Sequence, residues 1–241
     1  MRKNNLLLDK GGSHVGLILS FVVFVTFLFF ILNVLNPAVK QRGDKQLELD
    51  LLKLNLFEKL NSNLSVTSIK VKNETAYAAS CFIIDNPFNN SVKVKDEENV
   101  LVSGFSFDSD KKIQIAPFGK KFFKIFSSPN FVDAQTSPDS NCEVLSSDNY
   151  TLGATRTDRY IFEDGLLNLL AEYDENYTLL KKELGVSENN EFGILFVNST
   201  GEEIQRGFQQ VSGNVYIDEI PVQYYNLDAE IQAGSIKIRV W

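Results

Sequence analysis

From Val15 to Leu35 the chain offers water almost nothing. Ser20, Thr26 and Asn33 are the only polar side chains in the run, and no charge occurs between Lys10 and Lys40. A helix of that length rises about 31 Å at 1.5 Å per residue, close to the hydrocarbon thickness of a bilayer. A secretory signal is the rival reading, but its apolar core runs about 7–15 residues before a small-x-small cleavage site. Here Asn36-Pro37-Ala38-Val39-Lys40 follows instead. The pattern predicts a membrane-spanning helix over 13–37. Pro37 is expected to end or kink it, because proline lacks an amide donor and clashes with the preceding turn.

Beyond Pro37 the periodicity changes. Leu47, Leu49 and Leu51 alternate, as do Leu52, Leu54 and Leu56, while Leu49, Leu52, Leu56 and Leu60 recur at three and four. Length and Glu/Lys content favour the helical reading, a stem over 38–62 with an apolar stripe. Residues 64–162 then read as strands: Ser65–Val71, Ala76–Ile84, Val92–Val94, Val100–Phe107, Lys112–Ile115, Lys120–Phe126, Glu143–Leu145 and Arg159–Phe162. The polar stretch Pro129–Asn141 reads as a loop. Asp164–Gly185 is predicted as one long amphipathic helix on Leu166, Leu167, Leu170, Tyr173, Tyr177, Leu180 and Leu184, stopped by Gly185. Phe192–Val197 follows as a strand, and Val215–Tyr225 with Ile231–Trp241 as a closing antiparallel pair around Asn226–Glu230. The expected fold class is α+β. A basic leader (1–12), a transmembrane helix (13–37) and a stem helix (38–62) precede a mostly antiparallel β domain with one long amphipathic helix (63–241).

Charge divides the chain. Its 241 residues carry 24 Lys and Arg against 31 Asp and Glu, a formal net of −7. The first 45 residues hold six basic side chains and two acids, net +4, which leaves −11 for the rest. An acidic body argues against a nucleic-acid partner and fits a solvated domain held at one end. Orientation is not set by charge, since three basic residues lie on each side of the span. Asn63, Asn73, Asn89, Asn149, Asn176 and Asn198 each open an Asn-x-Ser/Thr triplet after the span. Chance would supply roughly two or three. They are glycosylation candidates on an outside body, or else an Asn-rich polar composition with no sugar. Cys81 and Cys142 either close a loop of about 60 residues in an oxidising compartment, worth about 4 kcal/mol, or stay reduced as small apolar residues.

Catalytic chemistry has little support. The one histidine, His14, sits at the start of the apolar run, which leaves none for a Ser-His-Asp triad. There is no Gly-x-Ser-x-Gly, His-Glu-x-x-His, Gly-x-x-x-x-Gly-Lys or Gly-x-Gly-x-x-Gly. The acidic groups Asp96-Glu97-Glu98 and Asp218-Glu219 could pair as in a glycosidase, but solvated turns explain them better. Asp108, Asp110 and Asp139 lack the spacing of a twelve-residue calcium loop. No enzyme activity, cofactor or metal is expected.

Asp9-Lys10-Gly11-Gly12-Ser13-His14-Val15-Gly16-Leu17-Ile18-Leu19-Ser20-Phe21 resembles the type IV prepilin (class III) signal of archaeal pilin-like membrane proteins. The resemblance implies a cytoplasmic leader, cleavage after Gly11 by a membrane-bound prepilin-type peptidase recognising Lys10, Gly11 and Gly12, and a retained helix in the lipid bilayer. The family's usual glutamate at the fifth mature position is Gly16 here. That suits a minor or tip-type subunit, or a protein that never polymerises. Gly16 and Ser20 form a small-x-x-x-small pair suited to helix packing. The segments Asn168–Tyr173, Tyr177–Lys182, Phe192–Phe196 and Ile236–Trp241 resemble uncharacterised archaeal single-span proteins of similar length. The expectation is a cell-membrane, single-pass protein, N-terminus cytoplasmic and body extracellular, with a structural or adhesive role. Its partners would be the bilayer, the peptidase, and copies of itself or other pilin-like subunits. The alternatives are a monomeric anchored module binding a sugar, peptide or protein and, more remotely, an anchored carboxylate hydrolase.

Overall fold

The structure, a computed structural model, describes residues 13–102, 105–107, 112–132, 141–211 and 213–241. It divides into two units, Met1–Leu47 and Glu48–Trp241. Helix α1 runs Ser13–Leu60 and contributes to both. Its assignment continues through Pro37, so of the two expected effects of that proline, ending the helix or kinking it, the first does not occur. Within the first unit, the His14–Asn33 part of α1 is apolar on every side, and its side chains are almost all exposed.

The second unit is mostly antiparallel β structure with a few helices. After α1 come β1 (Asn61–Val71), α2 (Glu74–Ala78), β2 (Phe82–Asp85), β3 (Val92–Asp96), β4 (Leu101–Val102), β5 (Phe105–Phe107), β6 (Lys112–Ile115), β7 (Phe122–Ser127), β8 (Glu143–Val144), β9 (Tyr150–Leu152) and β10 (Arg156–Phe162). Then follow α3 (Glu163–Glu175), α4 (Tyr177–Glu183), β11 (Phe192–Val197), β12 (Glu203–Arg206), β13 (Tyr216–Tyr225) and β14 (Ile231–Val240). One sheet has the order β12-β11-β14-β13-β10-β1-β7-β3-β4, with β9 beside β1. A smaller sheet has the order β5-β6-β2-β8.

Two halves of the large sheet meet at a narrow joint. β10 and β13 run parallel and pair only at Ile161↔Tyr224 and Phe162↔Tyr225. Pro221, three residues earlier in β13, has no amide to donate, which suits a strand left unpaired on that side. On one half, α1 lays Leu49, Leu52, Leu56 and Leu60 against α3, α4 and the inner side of β11, β13 and β14, all in one buried cluster. On the other half, Ile69, Val94, Phe123 and Ile125 pack on Phe82, Ile84, Ile113 and Ile115 of the small sheet. Phe82 meets Phe123 edge to face at 6.0 Å. A third cluster, including Leu64, Phe126, Phe131, Phe162 and Tyr225, sits at the joint. Alternation puts it on the opposite face, because Phe162 and Tyr225 follow Ile161 and Tyr224 in their strands.

Three expectations need correction. The long helix over 164–185 is two, broken at Asn176 (φ −146°, ψ 62°), whose side chain accepts the Leu179 amide and so caps α4. Within α3 the buried residues are Leu166, Leu169 and Leu170, while Leu167 is exposed. The run Ala76–Ile84 is not one strand. Asn73 caps the short α2 by accepting from the Thr75 amide, and only Phe82–Asp85 pairs. Strands β9 and β12 and the parallel pairs β2–β8 and β10–β13 were not anticipated.

Candidate functional site

Three regions can be examined for function: the apolar end of α1, the disulfide, and the face of the large sheet that carries the joint cluster.

His14–Asn33 is long and apolar enough to cross a membrane by length and composition, with mean hydropathy 3.0 and none of it buried within the chain. Thirteen large apolar side chains from Val15 to Leu32 are 42–70% exposed. A Cβ placed on Gly16 would meet nothing within 4 Å, and Ser20 one turn later is exposed too. Lys10, Gly11 and Gly12, the expected processing site, lie outside the described residues.

Cys81 and Cys142 are joined by a disulfide with their Cα atoms 4.9 Å apart. It ties β2 to the short edge strand β8, where Phe82 and Ile83 pair with Glu143 and Val144. Of the six sequon asparagines, Asn63, Asn89 and Asn176 are exposed, and Asn73, Asn149 and Asn198 are half-buried. Asn73 and Asn198 accept both the amide and the hydroxyl of the threonine two residues on, with hydroxyl distances of 2.8 and 2.7 Å.

The acidic groups named from sequence do structural work. Asp96 accepts the Glu98 and Val100 amides at 2.9 Å, Asp218 pairs with Lys53 at 2.8 Å, and Glu219 pairs with Lys237 at 3.3 Å. Among the described residues no three His, Cys, Asp or Glu side chains gather as metal ligands. Asp108, Asp110 and Asp139 are outside the described residues. At a small cavity of about 250 Å³ beside Asn55 and Lys59 the lining lysine is already engaged, since Lys59 bonds Glu172 and Glu183.

The joint face is different. A cavity of about 390 Å³ opens there, lined by Lys95, Asn99, Phe126, Tyr225, Glu230 and Gln232 among others. That volume lies within the range of small-molecule sites, about 300–1,000 Å³. Strand register builds it. Lys93 and Lys95 of β3 stand opposite Phe126 and Lys124 of β7, and Lys124 and Phe122 stand opposite Ser68 and Lys70 of β1. Directly opposed residues share a face, so Lys70, Lys93, Lys95 and Lys124 all lie on the side of Phe126 and Tyr225. The turn between β13 and β14 bends over this face. Asn226 accepts the Asp228 and Glu230 amides at 3.1 and 2.8 Å, with Ala229 held at φ +55°.

The Lys95 side chain is only 5% exposed, and among the described residues the carboxylate within 4.0 Å of it is Glu230, at 3.9 Å. Among the described residues no acceptor lies within hydrogen-bond distance of its Nζ. Burial pushes the Lys95 ammonium below its ordinary value, more than Glu230 and Asp228 hold it up. Burial, with help from Tyr160 and Asp158, pushes the Tyr225 hydroxyl up. The sequence reading passed over Lys95, Lys124, Phe126 and Tyr225. A signal was present in Val92-Lys-Val-Lys-Asp96 and Phe122-Phe-Lys-Ile-Phe126, whose alternation puts the lysines on one side.

No family model, curated protein or solved structure matches this chain.

Proposed function

We propose that this is a single-pass membrane protein whose acidic α+β body sits outside the cell in a structural or adhesive role, as a minor or tip-type pilin-like subunit. The observation that carries the reading is the unburied apolar stretch of α1. Thirteen large apolar side chains there are exposed, each worth about 1.5–3 kcal/mol on leaving water. Their sum exceeds the entire stability of a typical domain, about 5–15 kcal/mol, so an apolar phase is the natural environment for this helix. The disulfide supports an oxidising location for the body. The free face at Gly16 and Ser20 supports close approach of another helix. The N-terminus is then cytoplasmic, and a prepilin-type peptidase acting after Gly11 leaves Gly12 first. The body has no catalytic task in this reading.

The test is protease treatment of intact cells followed by mass analysis of the product. Digestion of the body from outside and a mature chain beginning at Gly12 are expected. A body protected in intact cells would overturn the topology, and an intact Met1 would overturn the pilin-like processing. A second reading, a monomeric anchored binding module, is favoured by the Lys95 cavity on the joint face.

A further inference from the structure

We propose that the joint face binds a carboxylate-bearing polysaccharide, with Lys95 at the bottom of a subsite for one uronic acid residue. The starting point is an electrostatic anomaly. Lys95 and Lys124 are direct cross-strand partners, and like charges in that position destabilise a sheet. Lys95 is also nearly fully buried, which adds a desolvation penalty that only a close counter-charge offsets.

The body has carboxylates to spare, with a net of −11, and it uses them elsewhere. Lys53, Lys120, Lys181 and Lys237 each hold one in an ion pair and Lys59 holds two, all but the Lys120–Glu98 pair at 2.7–3.3 Å. On the joint face, Lys70 and Lys93 have no carboxylate within 4.0 Å among the described residues. Lys124 reaches only the Asn99 amide oxygen at 3.2 Å. Lys70 lies over the Phe122 ring at 5.3 Å. A row of cations therefore crosses three neighbouring strands spaced about 4.8 Å apart, with Lys93 donating to the Val132 carbonyl at 3.5 Å and, among the described residues, only Lys95 facing a carboxylate, the loosely held Glu230 at 3.9 Å.

The walls choose the anion. Phe126 and Tyr225 close the cavity from the buried joint cluster, the exposed Ile231 gives its rim an apolar surface against which a sugar's carbon face can lie, and Asn99 and Gln232 offer amides for hydroxyl groups. Among the described residues no guanidinium lines the cavity, so its lining there lacks the planar fork that favours phosphate. An ammonium at the bottom suits one carboxylate, and the lysine row beyond suits further carboxylates in series. Glu230 stands where the ligand carboxylate would enter. It is half exposed and tethered by the Asn226 and Gln232 amides at 3.3 and 3.4 Å. It acts as an internal competitor that the sugar displaces.

The inference rests on the binding-module reading and supplies its ligand. It is tested in vitro, where topology has no influence. A chain that is anchored and protease-accessible yet binds no uronide keeps the anchored reading and loses this one. The full chain in detergent micelles is titrated calorimetrically with tetragalacturonate, with maltotetraose as the neutral counterpart and with pyrophosphate. Tetragalacturonate is expected to bind and maltotetraose not to. Lys95→Met is expected to weaken binding at least tenfold while raising the unfolding midpoint, because the desolvation cost of a buried ammonium that Glu230 only partly offsets is removed. Lys124→Met, at an exposed position, is expected to weaken binding severalfold, and Glu230→Gln to strengthen it severalfold. Equal binding of maltotetraose, tighter binding of pyrophosphate, no binding of tetragalacturonate, or Lys95→Met binding within twofold of the native chain would each overturn the proposal. If Lys95→Met does not fold, unchanged affinity in both Lys124→Met and Glu230→Gln overturns it equally.

Discussion

Removing the Cys81–Cys142 bridge is the sharpest probe of how the body is held together. The bridge joins residues 61 apart in sequence, and the loop it closes contains β3 to β7, the strands that build both the second core and the joint face. Both cysteines are buried beside Ile83. In the chain-entropy description a crosslink over a loop of this length limits the unfolded chain by about 4 kcal/mol. The double variant Cys81→Ala/Cys142→Ala is therefore expected to lose about 4 kcal/mol. With a guanidinium m-value of about 5 kcal/mol/M, the midpoint falls by about 0.8 M. The assay is equilibrium unfolding followed by tryptophan fluorescence, which Trp241 alone reports. Its backbone is paired both ways with Glu191 at 3.0 Å, so it follows the body. Reducing the native chain should shift the midpoint by the same amount. A shift under about 0.2 M in both experiments would refute the argument, because the loop's entropy would then be limited by something other than the crosslink.

Other outcomes follow from the same packing. Leu56 is fully buried between α1 and the sheet, so Leu56→Ala should lose about 3–4 kcal/mol in denaturant unfolding. Gly207→Ala should destabilise by about 2–4 kcal/mol, since φ is +71° and a Cβ would stand 2.8 Å from the Phe192 carbonyl oxygen. Burial alone would raise the Glu191 carboxyl, but the Tyr177 hydroxyl and the Lys181 ammonium outweigh it and hold it below its ordinary value. The unfolded chain then binds the proton first as pH falls, so Glu191 contributes stability above its ordinary value of 4.5 and loses it as pH drops through the lower native one. Unfolding midpoints between pH 5 and 3 should fall less steeply in Glu191→Gln. Lys95 works in the opposite range. Its native value lies below the ordinary 10.5, so stability should rise with pH toward 10.5, and Lys95→Met should lose that rise when unfolding is followed between pH 8 and 10.5.

Local periodicity was decisive wherever one element faces one core. The three-four spacing of Leu49, Leu52, Leu56 and Leu60 names the buried stripe of α1 before any partner is known. The alternation in Lys112–Ile115, and the continuous apolar run Phe192–Val197, mark β6 and β11 with the bounds they have. The hairpin of β13 and β14 is announced by two runs flanking a polar turn. Two of the readings that failed involve short polar side chains. Asn176 divides one apolar stripe into two helices, and Asn73 starts a helical turn in a stretch that reads as strand. In both cases a single side-chain hydrogen bond to the backbone outweighs a weak propensity.

The apolar stretch of α1 and the acidity of the body belong to the sequence alone, because each is a sum over residues and needs no partner to exist. The joint face belongs to the tertiary structure alone. Lys95, Phe126, Tyr225 and Glu230 come from four segments, and nothing in any one of them says that β10 will pair with β13 at two residues only or that the turn after β13 will bend toward β3. Strand alternation assigns each lysine a side of its own strand. Which strands lie next to one another, and therefore which charges share a face, is fixed by pairing between residues far apart in the chain, and that pairing is selected by the packing of the whole body.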